Sequence, residues 1–285
     1  MRYFIIGFIT WLQLIEPSRG NVNLLERVDA VYKVVEEESL PIDLFLPATA
    51  EEPVPVVLFV HGGGWFLRSK LDYEDYATIL AINGMAAATI EWRRVPPNGF
   101  YDQVADIKDA IRWIRANGPQ YNIDPDRIGI YGSSSGAHLA ALAAFNRDGD
   151  GFGDDDPEGP SSEVQAAFLH EGLYDLTESI NQIEDLVILV FLNGATREEN
   201  IEAYEAVSPI FLVNGNEPPT LLSYGSEDVA VPIDQPERLE RALLDAGVEA
   251  ERLVLDGLSH GFIFFRPWTR PIMMERLLEY MRETL

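Results

Sequence analysis

The sequence contains no cysteine. That absence excludes a disulfide framework, a thiolate zinc site, an iron–sulfur cluster and a cysteine nucleophile. Positive charge is also scarce. Lys and Arg number 21 against 47 Asp and Glu, for a formal net charge of −26, and only Lys33, Lys70 and Lys108 are lysines. A nucleic-acid partner requires a basic face, so that class is excluded. An anionic membrane surface is disfavoured for the same reason. Long apolar runs are missing too. Residues 3–15 are almost wholly apolar but too short for a comfortable membrane span. Preceded by Met1-Arg2 and followed by Ser18-Arg19-Gly20, they read as a secretory signal at 1–20, cleaved after Gly20. A buried N-terminal helix is the alternative. The signal reading implies a secreted or periplasmic protein, residues 21–285, with no membrane span of its own.

What is present is an ordinary apolar content, 47% of 285 residues, enough for one large core. No internal repeat interrupts it. Residues 56–60 form a continuous apolar run ending in glycines, the mark of a parallel strand buried on both faces. Residues 86–90, 127–131, 166–170, 220–224 and 252–255 are similar. Helix-length segments lie between them. Residues 101–117 carry Val104, Ile107, Ile111 and Ile114 and stop at Gly118-Pro119. Residues 233–246 end at Gly247, and residues 269–283 close the chain. Residues 28–35 and 42–46 precede the first helix and are expected to form an antiparallel edge. This alternation predicts a single α/β domain with a mostly parallel central sheet and helices on both faces. Residues 177–206 are expected to form a small helical cap. Such sheets bind ligands beyond the carboxyl ends of their strands.

The loops at those ends carry the chemistry. Gly132-Ser133-Ser134-Ser135-Gly136 fits G-x-S-x-G with Ser134 central, between an expected strand and an apolar helix at 135–145. The pattern alone is weak; its strand–turn–helix setting makes it specific. A serine needs a base to become a nucleophile. His260, in Leu258-Ser259-His260-Gly261-Phe262 after the last strand, is the expected base. His138 lies four residues after Ser134 on the same helix and reads as packing. His61 reads as a brace for its loop and His170 as support near the site. Asp228, after the strand at 220–224, is the expected orienting acid, with Glu227 and Asp256 as rivals. The order Ser134, Asp228, His260 is that of an α/β-hydrolase triad. His61-Gly62-Gly63-Gly64-Trp65 follows another strand. The backbone N–H groups of Gly63, Gly64 and Ser135 are the expected oxyanion hole. A phosphate loop is disfavoured, because no Lys-Ser or Lys-Thr follows the glycines. Trp65, Phe66, Phe100 and Phe262 are candidates for lining a substrate pocket, each equally suited to the core.

With HGGGW, GSSSG, GSEDVAVP and SHGF in this order, the chain resembles α/β-hydrolase esterases. It is most similar to the hormone-sensitive-lipase-like branch that includes bifunctional feruloyl and acetyl-xylan esterases. The resemblance runs from about residue 54 to the end of the sequence. It implies the α/β-hydrolase fold, with Ser134, Asp228 and His260 as triad and residues 62–64 as oxyanion loop. It departs at the elbow, where Ser133, Ser135 and Ala137 replace the usual Glu or His, Ala and second Gly. Small residues still follow the serine, so the departure bears on substrate more than on catalysis.

Residues 146–160 form an acidic insertion. Asn146, Asp148 and Asp150 have the spacing of a calcium loop, with Gly151 next, the Phe152 carbonyl after it and Asp154 as a further oxygen donor. Position 12 is Pro157 rather than the bidentate Glu. The alternatives are a structural Ca²⁺ site and a solvated acidic loop beside the site.

The function these features predict is that of a secreted serine carboxylesterase that requires no cofactor. It would act on small-molecule or polysaccharide esters, including acetyl or feruloyl groups. Two other readings remain: an amide hydrolase of the arylformamidase or prolyl-peptidase type, and a non-catalytic α/β-hydrolase-fold binding protein. The second usually loses a triad member, and none is lost here.

Overall fold

The structure, a computed structural model, describes residues 25–148 and 159–285. The expected signal segment at 1–20, and Asp150, Phe152 and Asp154 of the acidic loop, lie outside the described residues. Among the described residues eight strands form one sheet: β1 (Leu25–Val35), β2 (Glu38–Pro47), β3 (Val54–Val60), β4 (Ala86–Ile90), β5 (Ile123–Ser133), β6 (Ala166–His170), β7 (Thr220–Gly225) and β8 (Ala250–Leu255). Their order is β1-β2-β4-β3-β5-β6-β7-β8. Strand β2 runs antiparallel to both neighbours, and every other pair is parallel. Thus the antiparallel edge expected from the N-terminal pattern is a β1–β2 hairpin. Its two-residue turn places Glu36 at φ 54°, matching the twist of such hairpins.

The helices are α1 (Glu74–Ile82), α2 (Phe100–Asn117), α3 (Ser135–Phe145), α4 (Gln182–Phe191), α5 (Ile201–Ala206), α6 (Asp234–Asp245), α7 (Phe262–Phe265) and α8 (Arg270–Thr284). Side chains alternate faces along each strand, which splits the core into two layers. Val56, Leu58 and Val60 pack with Ile107, Ile111, Leu139 and Leu239 from α2, α3 and α6. Val57 and Phe59 face the other way, onto Tyr76, Leu80, Met273 and Leu277 from α1 and α8. Burial on both faces explains the uninterrupted apolar strands. Helix α3 is buried along its whole length, which is why its sequence lacks an amphipathic pattern.

A buried ion cluster ties the edge hairpin to this frame. The Asp106 carboxylate on α2 accepts from Arg93 Nε at 2.9 Å and Nη2 at 2.8 Å, and from the Arg93 backbone N–H at 3.0 Å. Lys33 of β1 pairs with it at 3.0 Å. Removing one partner from such a cluster would strand the others. Residues 177–206, expected to cap the site, contain α4 and α5 joined by turns.

Candidate active site

The elbow follows from sterics at two glycines. A Cβ at Gly132 would lie 2.3 Å from the Gly136 carbonyl oxygen. One at Gly136 would lie 2.3 Å from the Val60 oxygen and 2.5 Å from the His61 oxygen. Only hydrogen fits at either position, so β5 turns into α3 hard against β3. Ser134, at the apex, adopts φ 56° and ψ −126°, a strained conformation for a side-chain-bearing residue. Its N–H donates to the His170 carbonyl at 2.8 Å, and its own carbonyl accepts from Ala137 and His138. These bonds hold the strain. The hydroxyl stands at the carboxyl end of the sheet, over the N-terminus of α3.

The three residues expected to work together meet there. Ser134 Oγ lies 2.9 Å from His260 Nε2, and His260 Nδ1 lies 2.8 Å from Asp228 Oδ2. The other oxygen of Asp228 accepts the N–H groups of Ala230 and Val231, at 2.9 and 2.8 Å. The carboxylate is thereby fixed as an acceptor, and it orients the imidazole so that Nδ1 carries the proton and Nε2 faces the serine. The aspartate and histidine loops can approach because Gly225 has no side chain: a Cβ there would lie 2.1 Å from the Leu258 oxygen. The rivals face away. Glu227 is exposed, and Asp256 is an exposed acid accepting from Ser226 Oγ at 3.1 Å.

The glycine loop sits across from the elbow. A Cβ at Gly62 would lie 2.5 Å from the Ser133 oxygen, so this approach too requires glycine. Gly63 and Gly64 follow with φ of 114° and 62°, in the left-handed region. Among the described residues, no protein acceptor engages the N–H groups of Gly63, Gly64 or Ser135. They border a cavity of about 220 Å³ that also exposes Ser134 and His260.

Of the four aromatic pocket candidates, only Trp65 lines this cavity. Phe66 is exposed on the rim loop, and Phe100 packs beside Tyr101 and Phe191. Phe262 is buried in the core, edge-on to the His170 ring at 4.9 Å. The chain turns into α7 directly after Gly261, which points Phe262 inward. Phe264 and Phe265, one half-turn further on, reach the cavity instead, with Arg68 stacked over Phe264 at 3.9 Å. Leu173 and Val231 complete the apolar wall.

The remaining histidines are structural. His61 Nδ1 donates to the Gly62 carbonyl at 2.9 Å, and its ring stacks on Trp92. His138 Nδ1 accepts from the Trp65 indole at 3.1 Å, while Nε2 donates to the Val207 carbonyl at 2.7 Å. Burial pulls its imidazole down to about 4, so it stays neutral. His170 bonds Ser223 Oγ through Nδ1 at 2.8 Å. Burial, aided by the nearby His260, pulls it down to about 3.

One residue of the site belongs to no motif. Glu171, the first residue after β6, is fully buried, and its Oε2 lies 3.9 Å from His260 Nδ1. Its sequence signal is positional: an acid directly at the carboxyl end of a parallel strand. In the acidic insertion, Asp148 is committed to protein partners. It accepts from Ser162 Oγ at 2.5 Å, Ser162 N–H at 2.9 Å and Arg112 Nη2 at 3.0 Å. Asn146 Oδ1 is buried without a hydrogen-bond partner.

Comparison with known proteins places this geometry in context. The BD-FAE family profile matches residues 42–243. Esterase LipC of Mycobacterium tuberculosis is 32% identical over 218 residues, covering 74% of this chain and 54% of that protein. Isoprenylcysteine alpha-carbonyl methylesterase of Arabidopsis thaliana is 28% identical, covering 79% and 54%. The chain therefore spans about half the length of the curated relatives it matches. Among solved structures, apo esterase 2 of Thermogutta terrifontis superposes with a TM-score of 0.76 at 26% identity, covering 94% of this chain and 97% of that one. A propionate-bound esterase from the same organism gives 0.73 at 27%, covering 93% and 94%. Since the profile runs from the second strand to the helix after the acid loop, and the fold agrees over nearly the whole chain, this protein belongs to the BD-FAE family and has the α/β-hydrolase fold.

Proposed function

We propose that this chain is a serine carboxylesterase acting on short acyl esters. The observation that carries the reading is the continuous relay from Ser134 Oγ through His260 to Asp228, at 2.9 and 2.8 Å, opening on a cavity bordered by free backbone donors. In this mechanism His260 Nε2 takes the serine proton as Oγ bonds to the ester carbonyl carbon. The N–H groups of Gly63, Gly64 and Ser135 hold the oxygen as it gains negative charge. His260 then passes its proton to the departing alkoxide, leaving an acyl group on Ser134. Water, deprotonated by the same histidine, attacks that acyl group, and the carboxylic acid leaves as the serine regains its proton. Asp228 keeps the imidazole in the required tautomer and stabilises its charged form.

The substrate reading rests on size and family. A cavity of about 220 Å³ is below the usual range for drug-sized ligands and suits an acetyl or propionyl group better than a feruloyl one. The fold neighbour from Thermogutta terrifontis holds propionate in one structure and butyrate in another. Acetyl esters on polysaccharide are the proposed natural substrates, met outside the cytoplasm after removal of residues 1–20. The uncharged ester suits a strongly acidic surface; the full sequence carries a net charge of −26.

The test is hydrolysis of p-nitrophenyl acetate by the protein and by Ser134→Ala. The variant is expected to lose at least about a thousandfold in kcat. Retained turnover in the variant, or none in the parent, overturns the mechanism. A series of longer p-nitrophenyl acyl esters, acetylated xylan and a feruloyl ester then ranks substrates. A feruloyl ester outperforming acetyl esters would overturn the size reading.

A further inference from the structure

Beside the triad stands a second buried carboxylate that the mechanism above leaves unused. Glu171 Oε2 lies 3.9 Å from His260 Nδ1, the same nitrogen that Asp228 engages at 2.8 Å. That oxygen also accepts the Gly261 N–H at 2.7 Å, so Glu171 holds the residue next to the base. Its backbone is fixed in turn. The Glu171 N–H donates to the Ser223 carbonyl at 2.8 Å, and φ is 53°, a strained value for a glutamate. Its other carboxyl oxygen, Oε1, is buried with no hydrogen-bond partner. Strain, full burial and an unsatisfied oxygen are a poor way to hold a loop; glutamine could bond the same N–H without carrying charge. What glutamate adds is an ionisable group pointed at the imidazole.

We propose that Glu171 is a second, switchable carboxylate for His260, a positioning residue that anchors the base through Gly261 and, once ionised, reinforces Asp228 in stabilising the imidazolium formed during turnover. The inference rests on the esterase reading for its kinetic consequence, but not for its electrostatic one. The groups facing Glu171 are few. His170 of β6 has Nε2 at 3.4 Å and is neutral. Tyr131 of β5, Tyr76 of α1 and Tyr174 after β6 are buried phenols that remain protonated. Ser223 of β7 is neutral, leaving Asp228 and His260 as the charged neighbours. Burial drives the Glu171 carboxyl up. The positive histidine and the Gly261 N–H oppose that, Asp228 adds to it, and the result is about 7. Glu171 therefore changes charge near neutrality while held 3.9 Å from His260 Nδ1.

Two measurements test this. The first is the pH dependence of kcat/KM for p-nitrophenyl acetate in the parent and in Glu171→Gln, which keeps an oxygen for Gly261 but cannot ionise. The ratio of parent to variant is expected to be near 1 at about pH 5.5 and to rise about three- to tenfold by about pH 8.5. A ratio that does not vary with pH, whatever its size, overturns the proposal and leaves a merely structural residue. The second does not depend on Glu171→Gln folding or on turnover. In Ser134→Ala, the His260 imidazole resonances followed by NMR should show two inflections, reporting its own proton and that of Glu171. A single inflection overturns the proposal. Failure of the esterase reading would appear separately, as turnover that survives Ser134→Ala.

Discussion

The indole N–H of Trp65 donates to His138 Nδ1 at 3.1 Å, and through that bond the glycine loop is tied to the elbow helix. Trp65 also stacks on Phe191 of α4 at 4.7 Å, and His138 reaches the Val207 carbonyl. Four segments, around Trp65, His138, Phe191 and Val207, thus hold the Trp65 wall of the cavity. Replacing His138 with alanine leaves a buried indole N–H and a buried carbonyl without partners. The expected cost is about 1–3 kcal/mol for each group, measured by urea denaturation. Turnover per folded molecule should fall far less than in His260→Ala, where loss of the base costs about 10²–10⁴-fold.

Gly136→Ala places a methyl group 2.3 Å from the Val60 oxygen and 2.5 Å from the His61 oxygen. The Val60 oxygen, at the end of the β3–β5 ladder, cannot retreat without disturbing that register. The variant should lose about 3 kcal/mol or fail to accumulate as folded protein. Gly84→Ala is the control. Gly84 has φ 86° but nothing within 4 Å of its added carbon, so it should lose only the left-handed penalty of about 1–2 kcal/mol. Equal losses in the two variants would show that the elbow contacts do not govern stability.

Asp106→Ala should be among the most destabilising changes away from the active site. It removes the carboxylate that Arg93 and Lys33 share, leaving two cations with reduced compensation in a buried region. Loss of one member of such a cluster costs about 3–5 kcal/mol, read from chemical denaturation. A loss under about 1 kcal/mol would mean that water or the neighbouring Asp102 and Asp109 replace it.

Two acids should give opposite pH signatures in stability. Glu171 titrates near 7 when folded, above the ordinary value of about 4.3 in the unfolded chain. The folded state then binds more protons between these values. Its contribution is fully present below about pH 4 and is lost as pH rises through 7. Glu171→Gln removes that slope, so thermal denaturation should show the variant gaining on the parent from about pH 5 to 8. Asp148 behaves in reverse. Burial would raise it, but the Ser162 and Ser161 hydroxyls, the Ser162 N–H and Arg112 outweigh burial and hold it at about 2. Its contribution is present above about pH 4 and lost as pH falls through 2. Asp148→Asn should therefore differ most from the parent near neutrality and converge with it in acid.

Local chemistry alone determined much of this protein. The boundaries of β4, β6 and α3 were readable to the residue, because strands buried on both faces are dominated by apolar residues and an elbow helix starts directly after its serine. Ser134, Asp228 and His260 were legible for a related reason. The elbow and the aspartate loop carry glycines at which an added Cβ would lie 2.1–2.3 Å from a backbone oxygen, Gly261 beside His260 takes a left-handed φ of 71°, and glycine leaves a visible mark in a sequence. The pocket aromatics left no such mark. Phe262, Phe264 and Phe265 differ only in which way a single helical turn presents them, and packing against His170 decides that direction. Glu171 carried only a positional signal, and its burial was hidden for the same reason. Nothing in His170-Glu171-Gly172 distinguishes a solvated acid from a buried one until β7 and the His260 loop close over it. Sequence fixes where the backbone must bend and where apolar faces must meet. Only the tertiary structure decides which side chains then share a volume too small for water, and so which charges act on one another.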